Sequence, residues 1–345
     1  MEDVTDRRHH WAIFAAGVAV VAAGLLLWLA ADKLLMIFAG ILLAVFLGGL
    51  TDLVTRYTNL SRRLALAVVC ITLVVAAFMA CWFTASKLAE QAGQFNEELP
   101  AAIKSLRHRL QEYSWGKWAA EELKQVRTSA EGSEKTLSRA AGAASAVFES
   151  VGAVVVVLFL ALFLAFDPDL YKRSVVRLAP VARRDRAREV VDGAASALWR
   201  WTLGRLLAMA AVAVGATLGF WIIGMPLALI LGVFAGLVNF VPTLGPLFWL
   251  IPALLLAFVH SPAHALYVGL LFTVVQTLEA YVITPLVQQR MVHLPPAVAL
   301  GVQVIFGALW GVAGLALATP FAALALVFVQ KLYVEDTLGD HGKVA

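Results

Sequence analysis

Residues 224–260 read GMPLALILGVFAGLVNFVPTLGPLFWLIPALLLAFVH. The stretch is apolar apart from one amide, Asn239, and a break at Pro242-Thr243-Leu244-Gly245-Pro246 near its middle. As one helix it would be about 55 Å long at 1.5 Å per residue, against a hydrocarbon core of about 30 Å. Each half alone is short for a crossing. Both limits are met by two short helices folded back at the break, either a re-entrant hairpin or a tight pair of spans. Non-helical backbone survives at membrane depth only where protein or a water-filled cavity satisfies it. Broken apolar pairs of this kind point to a transporter's substrate site.

The rest of the chain supports a membrane reading. Of 345 residues, 61% are hydrophobic and 14% charged, and the mean hydropathy is +0.83. A soluble domain carries about 25% charged residues. Several apolar runs of roughly 20 residues predict an all-α polytopic membrane protein. The formal charge of +4 does not suggest a nucleic-acid partner. Cys70 and Cys81 share one apolar run and offer no disulfide framework or metal spacing. His260 and His264 stand four apart, but Ser261-Pro262 interrupts them and no third ligand is near, so no metal is expected. No cofactor motif, phosphate loop, HExxH or GxSxG element occurs. The expectation is a non-enzyme whose transport is driven by an ion gradient or runs downhill.

Taken in order, spans are expected at 11–31, read as a retained first helix, and at 34–50, with Asp32 and Lys33 between them. Further spans are expected at 64–85, 148–166, 206–223 and 265–283. In the polar insert 87–147, Leu88, Ala92, Phe95 and Leu99, then Ile103, Leu106, Leu110 and Tyr113, recur at helical spacing. They predict an amphipathic extramembrane helical insert that packs on itself or on neighbouring subunits. Asp167-Pro168-Asp169 ends a span. The basic stretch 171–205 reads as an interfacial helix with Trp199 and Trp201 at headgroup level. Residues 297–331 are again too long for one span and are broken by Gly311, Gly314 and Pro320, a second hairpin. The parts are therefore 1–86, 87–147, 148–205, a transport core 206–334 and a tail 335–345, with about eight membrane segments. Arg7, Arg8, the loop 51–63 and the stretch 171–205 belong in the cytoplasm by the positive-inside rule. That puts the insert outside and both termini inside. The same counting makes 206–260 and 265–331 inverted repeats.

Within this core Glu279 is the most informative residue, an ionisable group inside an apolar span. It reads as a proton or cation carrier, or else as an interfacial carboxylate or a structural partner of Arg290. Gln276 reads as helix glue. Asn239 reads equally as glue or as a substrate contact, and Thr243 and Gly245 offer a hydroxyl and open backbone at the same break. Pro242, Pro246, Gly311, Gly314 and Pro320 complete the candidate pathway. Gly215/Gly219, Gly232/Gly236 and Gly307/Gly311 are small-xxx-small pairs that signal close helix packing. His293 lies in the polar break between the last span and the second hairpin.

GLVNFVPTLGPLFWLIPALL, QTLEAYVITPLV, VHLPPAVAL and GVAGLALATPFAALA resemble, in that order, the C-terminal half of the autoinducer-2 exporter family, the PerM-like permeases of bacterial inner membranes. The resemblance covers 198–333, and the N-terminal half is similar in pattern only. It implies about eight segments, cytoplasmic termini and a homo-oligomer, a pentamer. It further implies export of a quorum-sensing furanone in some members and Na⁺(Li⁺)/H⁺ antiport in others. Thr243-Leu244 inside the proline-glycine motif and Gln288-Gln289 before Arg290 identify no substrate. The expected function is a secondary transporter that exports small polar molecules. The alternatives are a cation/proton antiporter on the same fold and a structural or assembly protein acting through the insert.

Overall fold

A computed structural model describes residues 2–79, 82, 152–283, 285 and 295–339, with side chains from residue 30 onward. The insert 87–147, Cys81, Gln288, Gln289, Arg290 and His293 lie outside them. The described elements are helices, with no strand among the described residues. They are α1 (Glu2–Tyr57), α2 (Arg62–Met79), α3 (Gly152–Phe166), α4 (Pro168–Arg177), α5 (Arg184–Ile223), α6 (Ala228–Val238), α7 (Gly245–His260), α8 (Pro262–Leu278) and α9 (Pro296–Phe328). Wider π turns extend α8 over Glu279–Ile283 and α9 over Val329–Glu335. Among the described residues, five helical stretches are long and apolar enough to cross a membrane, six if the bent pair α3–α4 is one span. The chain is a polytopic all-α membrane protein.

Two expected boundaries are absent. α1 runs through Asp32 and Lys33 without a break, so the two spans placed there are one helix. Charge alone does not end a helix; Gly and Pro punctuate it, and neither stands between Gly24 and Gly40. Likewise the later part of the basic stretch, from Arg184, and the fifth span form one 40-residue helix, α5. The two tryptophans expected at headgroup level make ring contacts within the protein. Trp201 is buried edge-on against Phe240, and Trp199 lies on Phe46 beside Gly49.

α5 ends in a left-handed Gly224 (φ 76°), whose N–H donates to the Trp221 carbonyl while Met225 N–H donates to that of Phe220. This paired closure satisfies the last carbonyls and buries Met225 beside Phe220. The chain then reverses into α6. A Cβ on Gly232 would lie 2.6 Å from the Thr217 nitrogen, and one on Gly236 would lie 2.8 Å from the Met209 carbonyl oxygen. The two helices therefore touch backbone to backbone, antiparallel, along the expected small-residue stripe. α7 runs back up, placing Trp249 edge-on to Phe220 at 6.1 Å and 5.1 Å from Phe272 of α8. The main core gathers Val212, Phe220, Leu231, Trp249, Leu256 and Val268 from these four helices. At the α7–α8 corner, Ser261 caps α8 by accepting from His264 N–H, and its hydroxyl also meets the His264 ring at 2.7 Å.

α9 is folded in half. Trp310 and Gly311 leave helical geometry, with Gly311 at φ 58°, ψ −138°. Gln303 Nε2 on the first arm donates to Thr319 Oγ1 on the second at 3.0 Å, and the Phe306 and Phe321 rings stand 5.1 Å apart. In a straight helix residues 303 and 319 would be about 24 Å apart. Only a side-chain-free residue takes the Gly311 conformation readily. Pro320 lies buried inside the returning arm and does not interrupt it.

Candidate functional site

The first hairpin carries its only amide to its tip. α6 stops at Asn239, and residues 239–244 turn the chain before Gly245 opens α7, with Pro246 in its first turn. The turn is tight: a Cβ on Gly245 would lie 2.9 Å from the Asn239 Cα. It is held from outside by Arg205 of α5, whose Nε donates to the Phe240 carbonyl at 3.1 Å.

Glu279 meets this tip. It sits where α8 widens into its π turn, a local register change that recurs at functional sites. Its Oε1 accepts from Asn239 Nδ2 at 2.9 Å and from Arg205 Nη1 at 3.2 Å. All three side chains are buried, Asn239 completely. The amide must turn its nitrogen to the carboxylate, since only that end donates. Among the described residues its Oδ1 has no partner, and neither do Arg205 Nη2 and Gln276 Oε1. A buried ion pair survives because each charge answers the other, and removing one strands its partner.

Above this floor opens a cavity of about 960 Å³. α5 supplies one wall from Glu189 to Ala208. Pro242 comes from the first hairpin tip, Gln276, Glu279 and Ile283 from α8, and Ala299, Thr319 and Ala323 from the folded α9. Both hairpins thus face one space. At the rim, Lys331 Nζ donates to Glu189 at 2.9 Å, and Arg186 reaches Glu335 at 2.7 Å, Asp336 at 2.9 Å and the Lys331 carbonyl at 2.9 Å. The hydrogen bond from Lys331, reinforced by Arg186, holds the Glu189 carboxyl down at about 2. The acids around Arg186 in turn raise its guanidinium above its ordinary value.

Of the sequence candidates, Asn239, Gln276 and Glu279 come together at or beside the cavity floor, and Pro242 lines the wall. Thr243 is partly exposed at the tip and does not line the cavity. Gly245 and Pro246 are buried in the tip's packing. Gly311, Gly314 and Pro320 shape the second hairpin, with Gly314 close under the Phe306 carbonyl. Arg290 lies outside the described residues, and the cation paired with Glu279 is Arg205. Sequence reading assigned Arg205 to the end of a basic surface helix. The overlooked signal was its setting, Leu203-Gly204-Arg205-Leu206-Leu207, a lone cation already inside apolar sequence. Gln303 and Thr319 were also missed, as ordinary polar residues whose meeting depends on the fold at Gly311.

Several known proteins are similar to the chain in sequence. YueF, a candidate transport protein of Bacillus subtilis (strain 168), is 27% identical over 252 residues, 70% of this chain and 68% of its own length. YrrI, another from that organism, is 30% identical over 171 residues, half of this chain and 48% of its own length. A third, MT0215 of Mycobacterium tuberculosis (strain CDC 1551 / Oshkosh), is 32% identical over 218 residues, 60% of this chain and 59% of its own length. The matched part thus spans about half to two thirds of these relatives. A single family model, described as AI-2E family transporter, matches residues 18–333. With nearly the whole chain inside that match, the protein belongs to the AI-2E family of transporters.

Proposed function

We propose that the chain exports small polar molecules of no net charge across the bacterial inner membrane, admitting them from the cytoplasmic side to the cavity above Arg205 and Glu279. The observation that carries this reading is the charge balance of the wall. Arg205 pairs with Glu279, Lys331 with Glu189, Asp192 with Lys172 and Glu335 with Arg186. Arg200 is engaged as well. A lining without unpaired charge favours a solute that brings none, because a charge taken out of water is costly unless paired. Arg205 and Gln276 line the cavity, and among the described residues the donor Arg205 Nη2 and the acceptor Gln276 Oε1 have no partner, which suits hydroxyl and carbonyl groups.

The cytoplasmic assignment draws on the basic residues gathered at this end: Arg200, Lys331, Arg186 and the arginines of α4. Passage beyond the floor would require the first hairpin tip to part from Glu279, with the two hairpins acting as re-entrant, inverted halves around the cavity. The homo-oligomer implied by the family belongs to the same reading and is measured by native mass spectrometry.

The test is transport in reconstituted vesicles, with Glu279→Gln beside the unsubstituted protein. Movement of a neutral hydroxylated solute, lost in the variant, is the expected result. Na⁺- or Li⁺-dependent collapse of a pH gradient without solute movement would replace this reading with cation/proton antiport. Neither activity in a folded protein would leave the structural role.

A further inference from the structure

α3 is apolar to Phe166, and there the chain turns by 86° into α4. Asp167 caps the new helix by accepting from Leu170 N–H at 3.2 Å, and Pro168 opens it. The bend sets α4 across α3, so that where α3 runs along the membrane normal α4 lies along the bilayer surface. One edge of α4 is fixed to the protein: Val176 is buried, and Lys172 pairs with Asp192 of α5 at 2.6 Å. At helical spacing the opposite face presents Leu170, Tyr171, Val175 and Leu178, all exposed, with Leu178 at 87%. Arg173 and Arg177 lie one turn apart beside this face, and Arg183 and Arg184 follow at the start of α5. These four are exposed and make no ion pair among the described residues. Asp169 and Asp185 are the acids interspersed with them. Arg63 stands over the Phe166 ring at 5.1 Å, bringing the α1–α2 loop and its basic charge to the same level.

We propose that α4 is a lipid-recognition helix that seats its apolar face among the acyl chains and binds the phosphates of anionic phospholipid headgroups through Arg173, Arg177 and Arg183. The occupant is a lipid because two properties coincide at one place: a helix lying across the span that precedes it, and unpaired guanidinium groups flanking its apolar side. Guanidinium matches phosphate with paired donors, and an interfacial helix gains from both acyl burial and anionic attraction. Asp169 and Asp185 reduce the local excess of positive charge without reversing it.

The experiment uses the full chain in nanodiscs made from equal parts phosphatidylcholine and phosphatidylglycerol. Lipids retained after mild detergent release are counted by native mass spectrometry. The unsubstituted protein should retain phosphatidylglycerol in preference. Arg173→Gln/Arg177→Gln/Arg183→Gln should lose on the order of fivefold in that preference per arginine removed, whereas the corresponding lysine variant should keep most of it. Equal retention of the two lipids by the unsubstituted protein would overturn the proposal. So would an unchanged preference in the glutamine variant. Should that variant fold poorly, washing the unsubstituted protein in high salt gives the same test, because screening must then lower the preference. A preference that survives the wash overturns the proposal.

Discussion

Asn239 and Glu279 are 40 residues apart in sequence and 2.9 Å apart in space. That bond joins the first hairpin tip to the widened end of α8, and Arg205 completes it from α5. Glu279→Gln would leave Arg205 buried without its counter-charge, a loss of about 3–5 kcal/mol for a broken buried pair. Arg205→Met/Glu279→Leu should recover most of that stability while transport stays lost. Thermal unfolding in detergent, read beside vesicle transport, separates the two effects. A double variant no more stable than Glu279→Gln would show that the pair is not what the single change breaks.

Gly232→Ala should destabilise by about 1–3 kcal/mol, the usual cost of forcing extra volume into a packed interface. The new methyl would meet the Thr217 backbone, which cannot rotate away. Gly269→Ala is the matched control in an open helical setting with no atom within 4 Å. It should gain up to about 1 kcal/mol from helix propensity. Opposite shifts in Tm for the two variants are the expected result.

The fold in α9 is tested by cysteines. Gln303→Cys/Thr319→Cys should be joined by a short cleavable thiol crosslinker, visible as a mobility shift reversed by reductant. A straight helix would hold the two thiols too far apart. Adding Gly311→Ala should slow that closure, since a side chain at φ 58° costs on the order of 1–3 kcal/mol.

Acid pH should reach the rim late. Glu189 is held at about 2 by Lys331 and Arg186, below the ordinary glutamate value of about 4.3. Its pairing therefore contributes fully above the ordinary value and is lost as pH falls through about 2. Lys331→Gln should move the Glu189 titration upward, toward the ordinary value. Carbon-13 NMR of labelled glutamate follows the carboxyl directly, and an unmoved titration would remove Lys331 as its main partner.

Much of this was legible beforehand, because apolar length and proline-glycine breaks are local signals. Residues 224–260 exceed one span by length, and Gly311 marks a break that its φ of 58° realises. Glu279 stood out because hydrocarbon penalises ionisable groups wherever they sit in a span. What the sequence could not state was pairing. Arg205 looked like the last arginine of a surface helix, because nothing local reveals that Glu279 approaches from 74 residues away. Gln303 gains a partner only through the reversal at Gly311. The missing break at Asp32–Lys33 errs in the other direction: a charged pair resembles a loop on hydropathy, yet offers the backbone no reason to stop.

Arg186 joins the start of α5 to residues 331, 335 and 336, close to where the described chain ends. The chain from Arg186 to Asp336 is therefore a hoop closed by side chains, with the cavity rim at its clasp. A hoop can open at its clasp without unwinding any helix, because the bonds crossing there are ionic and partly wet while the α5–α6 seam is backbone and packed carbon. Widening of the cavity should begin at Arg186, and the α5–α6 contact at Gly232 should stay shut throughout.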